Sequence, residues 1–262
     1  MAEKLLWNDG WSFVELSLEE DSYIYPVLEE WKPVDIPHVL SRDSIGWYKK
    51  EFMLEEMKGH YALRFDGISM EMTLYVNGHE AFDRKEGDSV FEADITDYMQ
   101  LGKNQIVVRV ISRGLNTNAS SDTGIFRTIW FKTKNNLHLV SDGIHVTGVK
   151  ESDTVWRVET DTEIAAKCAQ CAGCSASHVI LKQKLYDTAG TLVAEAADEF
   201  AIAASMVCSQ IFTIENPKLC EIVQDNLYHL VTELWLNGRL LESEEQKIAF
   251  RTLEFHKDKD CV

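Results

Sequence analysis

The alternation of apolar and polar residues is the feature of this sequence that most restricts its fold. Large apolar side chains recur at every second position in many short segments, as in Met72, Leu74 and Val76. A period of two places such side chains on one face of a β-strand, whereas an amphipathic helix needs a period near 3.6. No segment keeps a helical spacing for a dozen residues. The sequence therefore predicts an all-β protein.

Turn-forming residues follow several of the alternating segments. The pairs Asn77-Gly78 and Asn237-Gly238 each come directly after such a run, and residues 187–190 (DTAG) separate two more. Both central residues of a type I′ turn have positive φ, which Asn and Gly tolerate best. These three positions predict β-hairpins.

The number and spacing of the predicted strands indicate two domains. Short strands that recur every 8–12 residues or so are typical of β-sandwiches, and one sandwich seldom needs 262 residues. A break in character falls near residues 135–142, after a part that is rich in Trp and Tyr. We therefore predict a jelly-roll-like domain at residues 1–139 and a seven-stranded, immunoglobulin-like sandwich at residues 140–255.

The charge balance excludes two classes of partner. The chain has 43 acidic and 26 basic residues, which gives a net charge of −17. Such a surface repels phosphate backbones and anionic lipids, so we expect neither nucleic acid nor a membrane as a partner. The N-terminus has no apolar run of signal-peptide length, and nowhere do about 18 apolar residues follow one another. We expect a cytoplasmic protein.

Three closely spaced cysteines, Cys168, Cys171 and Cys174, allow two interpretations. Thiolates at this spacing can bind zinc or part of an iron–sulfur cluster. A closed site needs a fourth ligand, however, and only His178 lies near. The surrounding Ala, Gly and Ser residues are typical of a loop, which favours incidental reduced thiols. We predict no metal site and no cofactor.

Several segments carry motifs in a fixed order. In the first half they are VDIPH at 34–38, GWYKKEF at 46–52, LRFDG at 63–67, LYVNG at 74–78, FEADIT at 91–96, NQIVVRV at 104–110 and GIFRTIW at 124–130. In the second half they are NPKL at 216–219, LY at 227–228 and FRTLEF at 250–255, with Cys220 where a Trp is usual. This ordered set resembles the N-terminal part of glycoside hydrolase family 2, which includes β-galactosidases, β-glucuronidases and β-mannosidases.

The resemblance implies a fold and a division of labour. It implies a galactose-binding-type jelly roll, an immunoglobulin-like sandwich and then a catalytic (β/α)₈ barrel, which needs roughly 250 further residues. Neither family motif that carries the two catalytic glutamates has a counterpart here, so residues 256–262 would be the truncated lead-in to a missing barrel. The parent enzyme would hydrolyse terminal β-glycosides, with β-galactosides favoured. This chain would brace the barrel and have no activity alone.

The resemblance also suggests residues that touch the sugar. In family members the loop before the GI[FY]R motif reaches the barrel mouth, and a polar residue six places before its Gly often contacts the sugar. That position is Asn118 here, although several members carry Asp. Ser120 and Asp122 lie in the same loop, and Asp43 lies in the loop after VDIPH. Short polar side chains suit sugar hydroxyls, but they also favour ordinary turns, and both interpretations stay open.

Three further motif residues have structural interpretations. His38 is expected to be a satisfied structural residue, and Gly124 to occupy a tight backbone position. Arg127 could clamp a sugar or a carboxylate. An Arg among Ile, Phe and Trp must be paired, however, so we expect Arg127 to anchor the domain through buried hydrogen bonds.

A protein of a different class remains as an alternative. A free-standing carbohydrate-binding β-sandwich would stack sugars on exposed aromatic rings, and Trp7, Trp11, Trp31 and Trp47 are its candidates. A purely structural sandwich protein would bind no sugar. Under the family interpretation the partners are the catalytic barrel, weakly bound carbohydrate and possible further copies of the chain.

Overall fold

A computed structural model describes residues 3–18, 25, 30–69, 71–85, 89–113, 123–167, 178–220 and 226–252. The chain forms two compact units, Ala2–Asn135 and Asn136–Val262, called here the N-terminal unit and the C-terminal unit. Within the described residues no helix is long and apolar enough to span a membrane.

The described part of the N-terminal unit consists of strands and one 3₁₀ turn at Thr96–Tyr98. The strands are β1 (Glu3–Leu6), β2 (Trp11–Ser17), β3 (Lys32–Val34), β4 (His38–Val39), β5 (Ser44–Leu54), β6 (His60–Phe65), β7 (Glu71–Val76), β8 (His79–Arg84), β9 (Phe91–Asp94), β10 (Gly102–Ser112), β11 (Gly124–Ile125) and β12 (Ile129–Lys134).

Two antiparallel sheets and a short ribbon build this unit. In the part of the chain that the structure describes, one sheet has the order β3-β2-β5-β10-β7-β8 and the other has the order β1-β12-β6-β9. The ribbon pairs β4 with β11. Side chains from both sheets form one apolar core, in which Leu74 and Val108 of the first sheet meet Leu63 and Phe65 of the second. All four side chains are 0% exposed, and burial of each contributes roughly 1.5–3 kcal/mol.

The C-terminal unit is a second sandwich. Its described strands are β13 (Leu137–Lys150), β14 (Val155–Ala166), β15 (Val179–Tyr186), β16 (Leu192–Phe200), β17 (Ser205–Glu215), β18 (Leu227–Leu236) and β19 (Arg239–Ala249). They form two antiparallel sheets, β13-β14-β17 and β16-β15-β18-β19. In a constant-type immunoglobulin domain the fourth strand lies in the same sheet as the first, second and fifth. Here the fourth strand, β16, pairs with the third instead.

The core of the C-terminal unit is divided by a polar layer. Along β14, β15 and β18 the inward positions run from apolar residues through polar ones and back to apolar ones. The buried polar side chains of this layer are Thr160, Thr162, Gln183, Gln210 and Thr232. One apolar cluster, around Trp156 and Phe250, lies on one side of the layer, and a second, around Leu139 and Leu181, lies on the other.

The all-β prediction is confirmed in both units, and so are the predicted hairpins. Asn77 and Gly78 have φ of 51° and 83° between β7 and β8, and Asn237 and Gly238 have φ of 49° and 77° between β18 and β19. Residues 187–190 connect the paired strands β15 and β16. The residues that tolerate positive φ therefore mark the turns, as their chemistry predicts.

Candidate functional site

The loop that carries Asp43 lies beside both ends of the segment that holds the other sugar-contact candidates. Ser44, the first residue of β5, pairs with Ser112, the last residue of β10. The Leu40 N–H donates to the Thr123 carbonyl over 2.9 Å, and the Thr123 hydroxyl donates to the Leu40 carbonyl over 2.8 Å. Loop 40–44 is therefore adjacent to both flanks of residues 113–122.

Of the four sugar-contact candidates, the structure describes only Asp43. Asn118, Ser120 and Asp122 lie outside the described residues. Asp43 is exposed and has φ of 54°, and its carbonyl accepts a hydrogen bond from the Leu18 N–H over 3.1 Å. Asp is one of the few non-glycine residues that adopt this left-handed conformation readily.

Glu15 fixes the shape of loop 40–44 from the neighbouring strand β2. Its Oε1 accepts a hydrogen bond from the Ser41 N–H over 2.6 Å and lies 2.8 Å from the hydroxyl of Ser44, which is only 4% exposed. The carboxylate thus ties both ends of the loop to the sheet. Sequence reasoning missed this residue, because a lone Glu in an alternating strand gives no sign of a partner some 26 residues away.

His38 and Tyr48 join the ribbon to the large sheet. His38 Nδ1 lies 2.9 Å from the Tyr48 hydroxyl, and the ring of Phe13 meets the imidazole edge-on at 4.4 Å. Burial lowers the pKa of His38, against the opposing charge of Glu15, and burial raises the pKa of Tyr48, whose oxygen accepts from the Ile125 N–H. Both shifts favour the uncharged forms, so a neutral imidazole and a protonated phenol share this hydrogen bond. The hydrogen bond links β4 of the ribbon to β5 of the large sheet.

Gly124 lies in β11 of the ribbon, opposite Val39 of β4. Its φ is 102°, and a Cβ added there would lie 2.6 Å from the His38 carbonyl oxygen and 3.1 Å from the Leu40 nitrogen. Both neighbours are backbone atoms, which cannot rotate away. Only glycine satisfies the conformation and the space together.

The structure corrects the expectation of a buried guanidinium at Arg127. Ile125 and Ile129 on either side are 0% exposed, but the Arg127 side chain is exposed. Its backbone N–H donates to the Gly67 carbonyl over 3.1 Å. Arg127 lies in the bend between β11 and β12, where the alternation of a strand does not apply, so apolar neighbours in sequence do not place it in the core.

The four tryptophans that a carbohydrate-binding protein would use are packed against other side chains. Trp11 and Trp47 are 1% and 2% exposed. The Trp7 ring stacks on Phe131 at 4.2 Å, and Lys49 Nζ lies 4.0 Å from the centre of the Trp31 ring. The buried rings of Trp11 and Trp47 offer no flat surface to a sugar, and those of Trp7 and Trp31 are half-buried and in contact with other side chains.

The cysteines and possible metal ligands add no second site in the described part of the chain. Cys168, Cys171 and Cys174 lie outside the described residues. Among those that the structure describes, no group of three or more His, Cys, Asp or Glu residues could hold a metal ion. Cys208 and Cys220 are free, half-buried thiols, and burial raises the pKa of Cys208.

Comparison with known proteins assigns both units to one family. Residues 12–134 match the sugar binding domain of glycosyl hydrolases family 2, and residues 144–251 match a second domain described as glycosyl hydrolases family 2. A β-galactosidase from Thermoanaerobacter pseudethanolicus is 26% identical over 97% of this chain and 36% of its own length. The β-galactosidase BoGH2A from Bacteroides ovatus is 24% identical over 85% of this chain and 28% of its own length.

Solved structures show the same fold. The β-glucuronidase 2 of Bacteroides uniformis superimposes with a TM-score of 0.85 over 99% of this chain and 34% of its own, at 19% identity. The chain thus spans about a third of the length of the proteins that it matches. The ordered match of both domains shows that the chain belongs to glycosyl hydrolase family 2, as the N-terminal region that includes the family's sugar binding domain.

Proposed function

We propose that this chain is the non-catalytic N-terminal portion of a β-glycosidase that hydrolyses terminal β-glycosides, with β-galactosides as the favoured substrates. The observation that carries the proposal is the match of both units, in order, to family 2 domains at residues 12–134 and 144–251. Two of the similar proteins are named β-galactosidases and are about three times as long as the matched region.

The catalytic groups belong, in this proposal, to the rest of the enzyme. Retaining glycosidases need two carboxyl groups about 5–5.5 Å apart on either side of the scissile bond. Among the described acids, Glu15 holds loop 40–44 through its contacts with Ser41 and Ser44. The chain therefore braces the catalytic barrel and supplies a loop to the rim of its active site.

In this proposal the part of the active-site rim that the chain supplies consists of Asp43 and the segment with Asn118, Ser120 and Asp122. Loop 40–44 and both flanks of that segment lie at one end of the N-terminal unit, which supports a shared surface. Carboxylate, amide and hydroxyl groups together accept and donate hydrogen bonds, as sugar hydroxyls require.

A comparison of two proteins tests the proposal. The 262-residue chain and the longer product of the same gene would be purified and assayed with aryl β-D-galactoside, β-D-glucuronide and β-D-mannoside. The longer protein should cleave the galactoside best, and the chain alone should cleave none. Activity of the chain alone would overturn the division of labour, and an inactive longer protein would overturn the glycosidase assignment.

The native size of the product separates this function from a free-standing carbohydrate-binding protein. An antibody against the chain should detect a band well above 29.9 kDa in extracts of the source cells. A band at about that mass would favour the binding protein, for which the packed state of Trp7, Trp11, Trp31 and Trp47 offers little support.

A further inference from the structure

Most basic side chains around β12 have a partner within the N-terminal unit. Arg64 Nε lies 3.2 Å from Asp66 Oδ1, Lys132 Nζ lies 2.6 Å from Glu92 Oε2, and Lys4 Nζ lies 4.1 Å from the centre of the Trp130 ring. Arg127, two residues before β12, differs from these. Among the residues that the structure describes, none forms a hydrogen bond or an ion pair with its guanidinium, which is exposed.

The position of Arg127 is nevertheless tightly determined. Its N–H donates to the Gly67 carbonyl over 3.1 Å, and its side-chain stem lies against Gly67. A Cβ at Gly67 would come within 2.9 Å of Arg127 Cγ and Cδ and within 2.6 Å of Phe126 Cε2. The glycine of the LRFDG segment thus makes room for two side chains of the GIFR segment. A guanidinium held by its stem has already lost part of the conformational entropy that binding would otherwise cost.

Charge and chemistry indicate what this guanidinium binds. A guanidinium forms paired hydrogen bonds with a carboxylate, in a geometry that a Lys ammonium does not match. Two copies of a chain with a net charge of −17 repel each other, which disfavours a second copy as the partner. The other two thirds of the similar enzymes are, by contrast, tethered to this region, and a tether raises the local concentration of one part around the other.

We propose that Arg127 is a docking residue, through which the N-terminal unit binds a carboxylate on the catalytic barrel of the longer enzyme. The proposal rests on the proposed function, because it needs the barrel. The half-buried Phe126 beside it provides an apolar contact at the same place. Arg127 acts by positioning the two parts of the enzyme, without contact to the substrate.

The variant Arg127→Gln, measured in two proteins, tests the proposal. In the 262-residue chain the substitution should leave the melting temperature unchanged, because Gln keeps the Cβ, Cγ and Cδ atoms that pack at Gly67 and no described hydrogen bond or ion pair of the guanidinium is lost. In the longer enzyme it should lower the melting temperature by roughly 2–4 °C. It should also reduce the protection of the amides of residues 124–130 against hydrogen exchange about tenfold, since the loss of one partner of a charge pair weakens an interface by that order or more. Arg127→Lys should restore part of both.

A matched control is Arg64→Gln, because Arg64 has an ion-pair partner, Asp66, within the same unit. This variant should destabilise the chain and the longer enzyme to the same extent. Equal destabilisation of both proteins by Arg127→Gln would show a local structural role and overturn the proposal, as would no effect in either. Glycosidase activity of the unmodified longer enzyme reports on the proposed function separately, so the two can fail independently.

Discussion

Gln183 Oε1 accepts a hydrogen bond of 2.6 Å from Thr160 Oγ1, and this bond joins the two sheets of the C-terminal unit at the centre of their interface. The amide nitrogen of Gln183 donates to Thr162 Oγ1 over 3.1 Å and to Thr232 Oγ1 over 3.0 Å. All four side chains are at most 1% exposed. One amide therefore satisfies three hydroxyls that water cannot reach.

Replacement of Gln183 by Leu should destabilise the C-terminal unit by about 3 kcal/mol, because it leaves the buried hydroxyls of Thr162 and Thr232 without partners, which costs roughly 1–3 kcal/mol each, whereas Thr160 keeps the Gln210 carbonyl. Native-state hydrogen exchange of amides in β15 and β18 reports on this unit alone and should show the loss. The matched variant combines Gln183→Leu with Thr160→Val, Thr162→Val and Thr232→Val. Because replacement of all partners by apolar groups of similar shape is nearly neutral, it should recover most of the stability. A quadruple variant as unstable as the single one would contradict the role of the network.

Replacement of Gly124 by Ala should destabilise the N-terminal unit by about 3 kcal/mol or more, because left-handed backbone costs roughly 1–2 kcal/mol and overpacking roughly 1–3 kcal/mol. The added Cβ would lie 2.6 Å from the His38 carbonyl oxygen. Gly78→Ala is the control, since Gly78 has φ of 83° with no atom within 4 Å of an added Cβ. It should cost only the backbone strain, about 1 kcal/mol. Thermal unfolding of both variants measures the difference, and equal shifts would show that the close approach at Gly124 has no cost.

The elements that the sequence predicts are those that depend on local chemistry. The Asn-Gly pairs at 77–78 and 237–238 adopt positive φ because the two residue types tolerate it wherever they occur. The alternation in β15 places Val179, Leu181 and Leu185 inward, as a period of two requires. No knowledge of the partner strands is needed for either prediction.

The features that the sequence does not predict depend on contacts between distant segments. The Glu15 carboxylate reaches loop 40–44 only because β2 pairs with β5, and nothing in the local pattern gives that pairing. Gln183 occupies an inward position that a simple pattern assigns to an apolar residue, and its three hydroxyl partners lie on β14 and β18. Arg127 lies in the bend between the β4–β11 ribbon and β12, where its N–H bonds to the Gly67 carbonyl. Because this bend is not part of a strand, the alternation of inward and outward side chains does not predict that Arg127 is exposed.

The titration of His38 should reveal how tightly the ribbon is packed. Burial lowers the pKa of His38 below its ordinary value of 6.5, so between the two values the unfolded chain binds more protons than the folded one. The contribution of His38 to stability is therefore fully present above about pH 6.5 and is lost as the pH falls towards the folded pKa. In NMR spectra the imidazole C–H signals of His38 should titrate below pH 6.5, and His38→Gln should remove this part of the acid destabilisation. A midpoint at or above that value would contradict a buried, neutral imidazole.

The hydroxyl of Tyr228 holds the NPKL motif at residues 216–219. Tyr228 lies near the start of β18, and its hydroxyl oxygen accepts a hydrogen bond from the Lys218 N–H over 2.9 Å. This arrangement is known in β-sandwiches as a tyrosine corner. Residues 216–219 are thereby held against the strand that follows them. Tyr228→Phe should cost about 1 kcal/mol, the net contribution of such a bond.

Tyr186→Phe is the matched control, because the phenol of Tyr186 has no hydrogen-bond partner among the described residues. It should leave stability unchanged within about 0.5 kcal/mol. Hydrogen exchange at the Lys218 amide should become faster in Tyr228→Phe and stay as it is in Tyr186→Phe. The contrary result would be a Lys218 amide that keeps its protection without the Tyr228 hydroxyl. In that case the conformation of residues 216–219 would depend on the packing of the Tyr228 ring against Phe250, at 4.9 Å, and not on the hydrogen bond.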